Sequence, residues 1–404
     1  MTTLAVRLDN DGDVLLTGPA VRALAARDDV DLLASPTGAA AARLLPGVRD
    51  VLVVAAPWSG YRPPAVDPAA IEELVATLAG RRYDRAVIFT SFHQSPLPMA
   101  LLAKMAGIGH VAATSVDYPG SLLDVRHQRP EGLHEVEAAL DLARAAGAGL
   151  PEGDDGRLAV RRPLPDNPLT AEQLSARRRG EGPGGHPLRA DSSVVTGGAP
   201  LVQEQLSARR RGEGPGGHPL RADSSVVTGG APLVEEQLSA RRRGGYVVLH
   251  PGASVPARAI APEHARAIAE ALVGAGWDVV VTGGPRETPL PARPGVHDLT
   301  GRTDLPQLAA VLDGAACVVV GNTGPAHLAA AVGTPVVSLF SPVVPAERWA
   351  PYGVPTIVLG DQLAACAGTR ARECPVPGHP CLTGIRPQQV VDAVASLVPQ
   401  EVMA

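Results

Sequence analysis

A phosphate-binding turn is predicted in the second half of the chain, where the apolar run of residues 318–320 ends in Gly-Asn-Thr-Gly-Pro. Proline is favoured in the first turn of a helix, so a helix is expected to begin here with free main-chain N–H groups and a positive dipole end. Asn322, Thr323 and Gly324 lie at that end, and His327 falls in the first turn. This arrangement suits a diphosphate. A tight strand–helix turn capped by Thr323 would give the same pattern.

A second turn of this kind, Asp9-Asn10-Asp11-Gly12-Asp13, follows the first apolar segment of the chain. Asp13 is expected near the start of the next helix, where the helix dipole stabilises a carboxylate. It is therefore either a helix cap or, if it faces a cleft, a general base that takes a proton from a hydroxyl group. The Asp-x-Asp triplet at the start of the turn also resembles a metal clamp, but acidic stretches produce such triplets by chance. No metal is predicted.

Two further turns carry polar side chains that suit a nucleotide sugar. The motif HPGAS ends at Ser254, with Arg258 four residues later, and Thr282 and Gly283 precede Glu287. An arginine can pair with phosphate oxygens, and a glutamate can accept hydrogen bonds from sugar or ribose hydroxyls. Either residue could instead be an ordinary surface charge. The convergence of four strand-end turns is what favours a ligand cleft.

Three cysteines lie close together near the end of the sequence, with a histidine among them. Cys366, Cys374 and Cys381 accompany His379, but the short Cys-x2–4-Cys pair of structural zinc sites is absent. The pattern favours a packed loop with free thiols, and a zinc site is the alternative.

The elements that must position these turns alternate between short β-branched strands and Ala/Leu-rich helices. This order predicts two doubly wound α/β halves, whose ligands bind at the carboxyl ends of the strands. The predicted strands are 4–8, 30–34, 51–55, 85–90 and 111–114 in the first half and 246–250, 277–282, 317–320 and 335–340 in the second. The predicted helices are 18–26, 38–45, 68–78, 99–106, 133–146, 262–275, 305–312, 325–332 and 387–397.

A tandem repeat separates the two halves. The string EQLSARRRGEGPGGHPLRADSSVVTGGAPLV begins at Glu172 and again at Glu204, and a partial copy occupies residues 236–244. Its glycines, prolines and arginine triplets form neither a helical stripe nor a strand alternation, which predicts a disordered interdomain linker rather than a solenoid. Polyanion binding by the arginines is the alternative. The predicted domains are 1–166 and 245–404, and the linker, 167–244, contains the repeats 172–203, 204–235 and 236–244.

The bulk composition excludes several classes of protein. The net charge of −5 gives no general case for nucleic-acid binding. No apolar run is long enough for a membrane span, and the N-terminal residues lack the pattern of a signal peptide. Four cysteines in 404 residues are too few for a disulfide framework, so a cytoplasmic protein is expected.

Several motifs in the chain resemble glycosyltransferase family 9, the lipopolysaccharide heptosyltransferases. They are GDVLLTGPAVRAL, HPGAS, TGGPRE, RWAPYG, RECPVPGHPCL and the block LTGRTDLPQLAAVLDGAACVVVGNTGPAHLAAAVGTPVVSLFSP, and they cover nearly all of the chain outside residues 172–244. The resemblance implies a GT-B fold with the acceptor on the first Rossmann-like domain and the nucleotide sugar on the second. It also implies an inverting, metal-independent transferase without a cofactor, monomeric and cytoplasmic, with peripheral contact to the inner face of the membrane.

The resemblance also assigns roles to individual residues. Asp13 becomes the general base, and Glu287 falls where the family binds the nucleoside. The remaining predicted donor-binding residues are Gly12, Ser254, Arg258, Thr282, Gly283, Asn322, Thr323, Gly324 and His327. The implied donor is an ADP-linked heptose or related sugar, and the implied acceptor is a hydroxyl group of a glycan or glycolipid.

Two departures from the family pattern bear on the substrates. Asn322 stands where an aspartate is common, which replaces a carboxylate with an amide near the donor sugar. Asp9 and Asp11 stand where small or apolar residues are common, and an acidic rim there would disfavour a phosphorylated acceptor. Two other functions fit a nucleotide-sugar cleft: a sugar-nucleotide 2-epimerase, and a non-catalytic nucleotide-sugar-binding protein.

Overall fold

The computed structural model describes residues 1–60, 63–91, 94–169, 226–228 and 245–398. The chain divides into two compact units, and the one that comprises residues 1–174 and 224–404 contains both predicted α/β halves. The other unit, residues 175–223, lies outside the described residues. Most of the predicted linker lies outside them as well, and for that part disorder stays a prediction. For the described parts it is wrong, because Asn167 and Leu169 contact the second half and Val226–Thr228 forms a strand of its sheet.

The first half forms a parallel six-stranded sheet. Its strands are β1 Thr2–Arg7, β2 Asp29–Ala34, β3 Val48–Val53, β4 Arg85–Phe89, β5 His110–Thr114 and β6 Val125–His127. Its helices are α1 Asp11–Ala25, α2 Ala39–Leu44, α3 Pro68–Arg81, α4 Leu97–Met105 and α5 Glu135–Ala145. The strand order is β3-β2-β1-β4-β5-β6, and every neighbouring pair is parallel.

The second half forms a seven-stranded sheet. Its strands are β7 Val226–Thr228, β8 Tyr246–His250, β9 Asp278–Val281, β10 Val296–Asp298, β11 Cys317–Gly321, β12 Val336–Leu339 and β13 Thr356–Leu359. Its helices are α6 Pro262–Gly274, α7 Leu305–Asp313, α8 Gly324–Val332, α9 Ala346–Trp349, α10 Pro380–Thr383 and α11 Pro387–Leu397. The order is β10-β9-β8-β11-β12-β13-β7, and only β7, from within the second repeat, is antiparallel to its neighbour among the described strands.

The central strands of both sheets are apolar because helices cover both of their faces. Val318, Val319 and Val320 of β11 are fully buried, as are Leu4 and Ala5 of β1. One apolar cluster continues from the first half into the second, and helix α1 packs against helix α8. The starts of these two helices are therefore brought together at the carboxyl ends of β1 and β11.

The segment that leaves the first half is attached to the second half before the repeat begins. Arg162 donates two hydrogen bonds of 2.8 Å to the carboxylate of Asp313. The Asn167 amide donates to the Tyr246 hydroxyl at 2.9 Å, and Leu169 belongs to the shared apolar cluster. These contacts fix where the connecting chain starts.

Most predicted elements are present, and the main error concerns α1. This helix begins at Asp11, whereas the sequence predicted a start at Gly18, so Gly12 and Asp13 lie within its first turn. Gly18 and Pro19, at which the predicted helix began, are buried inside the helix. The strands β6 and β10 were not predicted because each has three residues and includes polar ones. The apolar strand β13 was also missed.

Candidate active site

Two helix N-termini meet at the centre of the candidate site. A Cβ atom added to Gly12 of α1 would lie 3.0 Å from the Gly324 Cα and 3.1 Å from the His327 Cδ2 in α8. Such contacts are too close for a side chain, so glycine at position 12 permits this approach of the two halves. Both helices direct their positive dipole ends toward the same space, which favours an anion there.

Asp13 lies in the first turn of α1 and is held by one of its two carboxylate oxygens. Its Oδ1 accepts hydrogen bonds from the Arg7 Nη2 at 3.1 Å and from the Ser91 Oγ at 3.3 Å. The side chain is 25% exposed, so the carboxylate can be reached from the cleft. A fixed and accessible carboxylate is what a general base requires.

Arg7, at the end of β1, is a site residue that the sequence reasoning missed. Its guanidinium is buried and contacts the carboxylates of both Asp9 and Asp13. Burial acts to lower the pKa of Arg7, but the neighbouring carboxylates outweigh burial and raise the pKa above its usual value. The sequence could have indicated this role, because Arg7 ends an apolar strand and is followed by an acidic turn.

The two other carboxylates of this turn point into the protein. Asp9 pairs with Arg7, and its Oδ1 accepts a hydrogen bond from the Gln94 Nε2 at 2.6 Å. Asp11 Oδ1 accepts a hydrogen bond from the Ala41 main-chain N–H at 3.0 Å. Burial raises the pKa of both carboxyl groups. The expected acidic rim is therefore wrong, and it gives no reason to exclude a phosphorylated acceptor.

Three polar atoms on the opposite wall are buried without hydrogen-bond partners among the described residues. They are the Arg258 Nε, the Thr323 Oγ1 and the His327 Nδ1. Thr323 is the residue before α8, yet its side chain does not cap that helix. Buried polar atoms are nearly always bonded, so these three atoms are available to hydrogen-bond a ligand that enters the cleft.

Burial shifts the pKa values of Arg258 and His327, and an anionic ligand would compensate for the burial of the Arg258 charge. Burial lowers the pKa of Arg258, although the charge of Asp13 acts in the opposite direction. Burial is also the largest cause that lowers the pKa of His327 to about 3, with smaller contributions from His134 and Arg258. His327 is thus neutral at pH 7, and a negative ligand would relieve the desolvated Arg258 cation.

Glu287 lies over the turns that follow β8 and β9. A Cβ atom added to either Gly252 or Gly283 would overlap its carboxylate, so the end of the Glu287 side chain lies directly against both turns. Burial raises the pKa of Glu287. Ser254, from the first of these turns, is exposed. The structure therefore brings Glu287, Gly283 and Ser254 to the same edge of the second sheet.

The side chains of Thr282 and Asn322 are buried and make hydrogen bonds within the protein. Thr282 is fully buried, and its hydroxyl lies 2.9 Å from the His250 Nδ1. The Asn322 amide donates to the Ser341 carbonyl at 3.1 Å and accepts from the Ser341 N–H at 3.2 Å. An aspartate could not make the first of these bonds. Asn322 thus joins the end of β11 to the end of β12, and its contact with the donor stays a prediction.

The cysteine cluster is a packed loop with free thiols. Cys366 and Cys381 are buried, Cys374 is half-buried, and none forms a disulfide. The His379 Nε2 lies 3.1 Å from the Ala257 carbonyl oxygen. Within the described ranges, no three His, Cys, Asp or Glu side chains are grouped so that they could hold a metal ion.

The second half of the chain matches a known family by sequence. The model of glycosyltransferase family 9 (heptosyltransferase) matches residues 223–379, which confirms the resemblance. Lipopolysaccharide heptosyltransferase 3 of Escherichia coli is 35% identical over 104 residues, which are 24% of this chain and 31% of that protein. The chain therefore aligns with less than a third of that curated relative.

Solved structures extend the likeness to both halves. The family 9 glycosyltransferase of Veillonella parvula has a TM-score of 0.63 at 14% identity, over 98% of this chain and 96% of that chain. The E. coli ADP-heptose lps heptosyltransferase II has a TM-score of 0.58 at 19% identity, over 99% of each chain. At such identities the likeness shows the fold, and the predicted GT-B architecture is confirmed.

Among the described residues, no helix combines the length and the apolar character that crossing a bilayer needs.

Proposed function

We propose that this chain, whose residues 223–379 carry the sequence of glycosyltransferase family 9, transfers a sugar from a nucleoside diphosphate to a hydroxyl group. The donor is an ADP-linked heptose or related sugar, and the acceptor is a glycan or glycolipid. One observation carries the proposal: the unpartnered atoms of Arg258, Thr323 and His327 converge at the N-terminus of α8, opposite the fixed carboxylate of Asp13.

The diphosphate of the donor supplies the missing partners on the second half. Arg258 pairs with its oxygens, and the Thr323 hydroxyl and the free N–H groups at the start of α8 donate to them. Gly324 lets the diphosphate approach the main chain, and His327 bonds the donor through its neutral ring. The exposed Ser254 lies on the phosphate side. This arrangement holds the leaving group by charge and needs no metal.

Glu287 binds the nucleoside part of the donor. Its carboxylate accepts hydrogen bonds from ribose hydroxyls at the edge formed by Gly252 and Gly283. Thr282 and Asn322 act by holding the neighbouring turns in place through His250 and Ser341. The choice of ADP rests on the structural likeness to the E. coli ADP-heptose lps heptosyltransferase II.

The reaction is a single in-line displacement. The acceptor oxygen attacks C1 of the donor sugar while Asp13 takes the proton from that hydroxyl. The bond between C1 and the phosphate oxygen breaks with its electron pair, and ADP leaves with its charge held by Arg258 and the α8 terminus. Attack from the face opposite the leaving group inverts the configuration at C1.

The proposal includes where the enzyme works. A glycolipid acceptor is embedded in a bilayer, so a monomer that binds it from the cytoplasm contacts the inner face of the membrane peripherally. The repeat-containing segment, residues 167–244, connects the acceptor domain, 1–166, to the donor domain, 245–404.

Nucleotide binding provides the first test. ADP, UDP and GDP are compared at equal concentration by thermal unfolding, since selective binding stabilises the folded state by mass action. ADP should raise the midpoint most. Equal shifts, or none, with the three nucleotides would contradict the proposed donor.

Product analysis provides the second test. ADP-heptose is incubated with and without a lipopolysaccharide core acceptor, and the products are separated and their anomeric configuration is determined. Transfer that needs the acceptor and inverts C1 supports the proposal. Conversion of the donor alone would show an epimerase, and ADP binding without turnover on any activated sugar would show a binding protein.

A further inference from the structure

One buried guanidinium group is shared between two carboxylates at the end of β1. The Arg7 side chain is 4% exposed, and its Nε lies 2.8 Å from the Asp9 Oδ2. Its Nη2 lies 3.1 Å from the Asp13 Oδ1 and donates to the Ser91 Oγ at 2.8 Å. The Nε–H does not point along the line to Asp9, so that contact is a charge pair rather than an aligned hydrogen bond.

The loop after β4 closes this arrangement from the other side. The Gln94 amide donates to the Asp9 Oδ1 at 2.6 Å, and its oxygen accepts from the Ser91 N–H at 3.2 Å. Asp9, Gln94, Ser91 and Asp13 thus surround the Arg7 guanidinium. Each polar group of this ring restricts the rotamer of its neighbour.

The ring leaves one oxygen of Asp13 open. Arg7 and Ser91 both donate to Oδ1, and within the described ranges no donor hydrogen-bonds Oδ2. A carboxylate held at one oxygen presents the other in a fixed direction, and orientation of this kind accounts for a large part of catalytic rate.

Charge balance explains why Asp9 is present. An arginine that faced Asp13 alone would stabilise the ionised carboxylate and make it a weaker base. Asp9 offers the same guanidinium a second negative partner. The other charged groups near this ring are Glu135 of α5, which acts on Arg7, and Arg258, which faces Asp13.

We propose that Arg7 is a positioning residue for Asp13 and that Asp9 is the counter-charge that preserves the basicity of Asp13. This inference rests on the proposed function, in which Asp13 takes the proton from the acceptor. It assigns the proton to the Asp13 Oδ2 and gives Ser91 the role of second donor to Oδ1.

Arg7→Gln, Arg7→Lys and Asp9→Asn test the inference in the full chain, with kcat, donor KM and the pH–kcat profile as readouts. Arg7→Gln should lower kcat about 100-fold with little change in donor KM, because misplacement of a catalytic group acts on the chemical step. Arg7→Lys keeps the charge and should recover part of that loss. Asp9→Asn should move the acidic limb of the profile to lower pH and lower the plateau kcat about tenfold.

The matched controls come from a half-buried arginine–aspartate pair at the other end of α1. Arg22 in the last turn of α1 binds Asp154 at 2.6 Å, far along the helix from Asp13. Arg22→Gln and Asp154→Asn should lower the thermal midpoint while leaving the pH–kcat profile as it is in the wild type.

Two outcomes separate this inference from the proposed function. If Asp13→Asn abolishes transfer while Arg7→Gln and Asp9→Asn keep the wild-type kcat and profile, the inference alone is wrong. If Asp13→Asn retains turnover, the proposed base itself is wrong. Should Arg7→Gln fail to fold, Ser91→Ala removes the second donor to the Asp13 Oδ1 together with an acceptor of the Arg7 Nη2, and a wild-type kcat in that variant overturns the inference.

Discussion

Two strand-to-helix turns face each other in this protein, and they differ in whether their charged groups pair with one another. In the first, the Arg7 guanidinium forms ion pairs with the carboxylates of Asp9 and Asp13, although the Arg7 Nε and the Asp9 Oδ2 make no aligned hydrogen bond. In the second, Arg258 and His327 keep polar atoms buried without partners. The first turn is thus built to hold a reactive group still, and the second is built to be completed by a ligand.

The largest expected effect comes from the first turn. Asp13→Asn keeps the shape of the side chain but removes the base, so kcat should fall by roughly 10²–10⁴-fold. The affinity for ADP, measured by calorimetry, should stay within a factor of two. Asp11→Asn is the control, since Asp11 lies in the same helical turn but bonds Ala41 inside the protein. An equal loss of kcat in both variants would contradict a specific role for Asp13.

The second turn should respond in its affinity for the donor. Arg258→Gln removes the cation from the unpartnered wall, and the loss of a charged hydrogen bond of about 1.5–3 kcal/mol should weaken ADP binding roughly 10- to 100-fold. Arg302→Gln, which removes an exposed arginine from the same half, should leave binding unchanged. Unaltered ADP affinity in Arg258→Gln would remove the distinction between the two turns.

The approach of the two turns can be tested with one methyl group. Gly12→Ala places a Cβ atom 3.0 Å from the Gly324 Cα, which must separate the helix ends. Overpacking of this kind costs about 1–3 kcal/mol, and transfer should fall about tenfold. Gly80→Ala in α3 meets no atom within 4 Å and should stabilise the protein by about 0.5–1 kcal/mol. A fully active Gly12→Ala enzyme would mean that the turns need not meet.

Acid should change the stability contributed by buried groups of the two halves with opposite signs. Burial lowers the pKa of His250 to about 4 and that of His327 to about 3, so in the folded state both stay neutral below the usual value of about 6.5. Unfolded chains take up these protons first, and the stability present above pH 6.5 is therefore lost as the pH falls toward 4, by up to about 1.4 kcal/mol per histidine and pH unit.

Asp9 has the contrary sign because burial raises its pKa, so the folded state binds that proton more readily than the unfolded state. Its contribution to stability is present at low pH and is lost as the pH rises through the folded pKa. Urea unfolding at pH 7, 6 and 5 measures the combined effect of the two histidines and Asp9 on the free energy of unfolding. The free energy of unfolding should decrease with acid, and His250→Gln should flatten this slope. An unchanged slope in that variant would speak against a buried neutral His250.

The smallest effect is expected from the repeat, which lies between the two turns in sequence. Deletion of residues 172–203 removes one unit but keeps β7, and it should alter neither turnover nor the thermal midpoint, since loop closure changes by only about 0.6 kcal/mol per doubling of length. Deletion of residues 172–235 also removes β7 from the edge of β13 and should lower the midpoint by a few degrees. Loss of turnover in the shorter deletion would show that the repeat does more than connect the halves.

The sequence alone determined the alternation of strands and helices, because apolar periodicity and local turn residues depend on neighbours in the chain. Helix α11 was predicted with its bounds, Pro387–Leu397, and the strand-to-helix turn at Thr323 was predicted from Gly-Asn-Thr-Gly-Pro after β11. Only the tertiary structure decided which polar groups are neutralised. Arg7 and Asp9 are neighbours in the chain, but Ser91 and Gln94 come from the loop after β4, and their hydrogen bonds to Arg7 and Asp9 depend on distances that no local pattern encodes. For the same reason Asn322 proved to bond Ser341, 19 residues away, while Arg258 was left without a partner for its Nε.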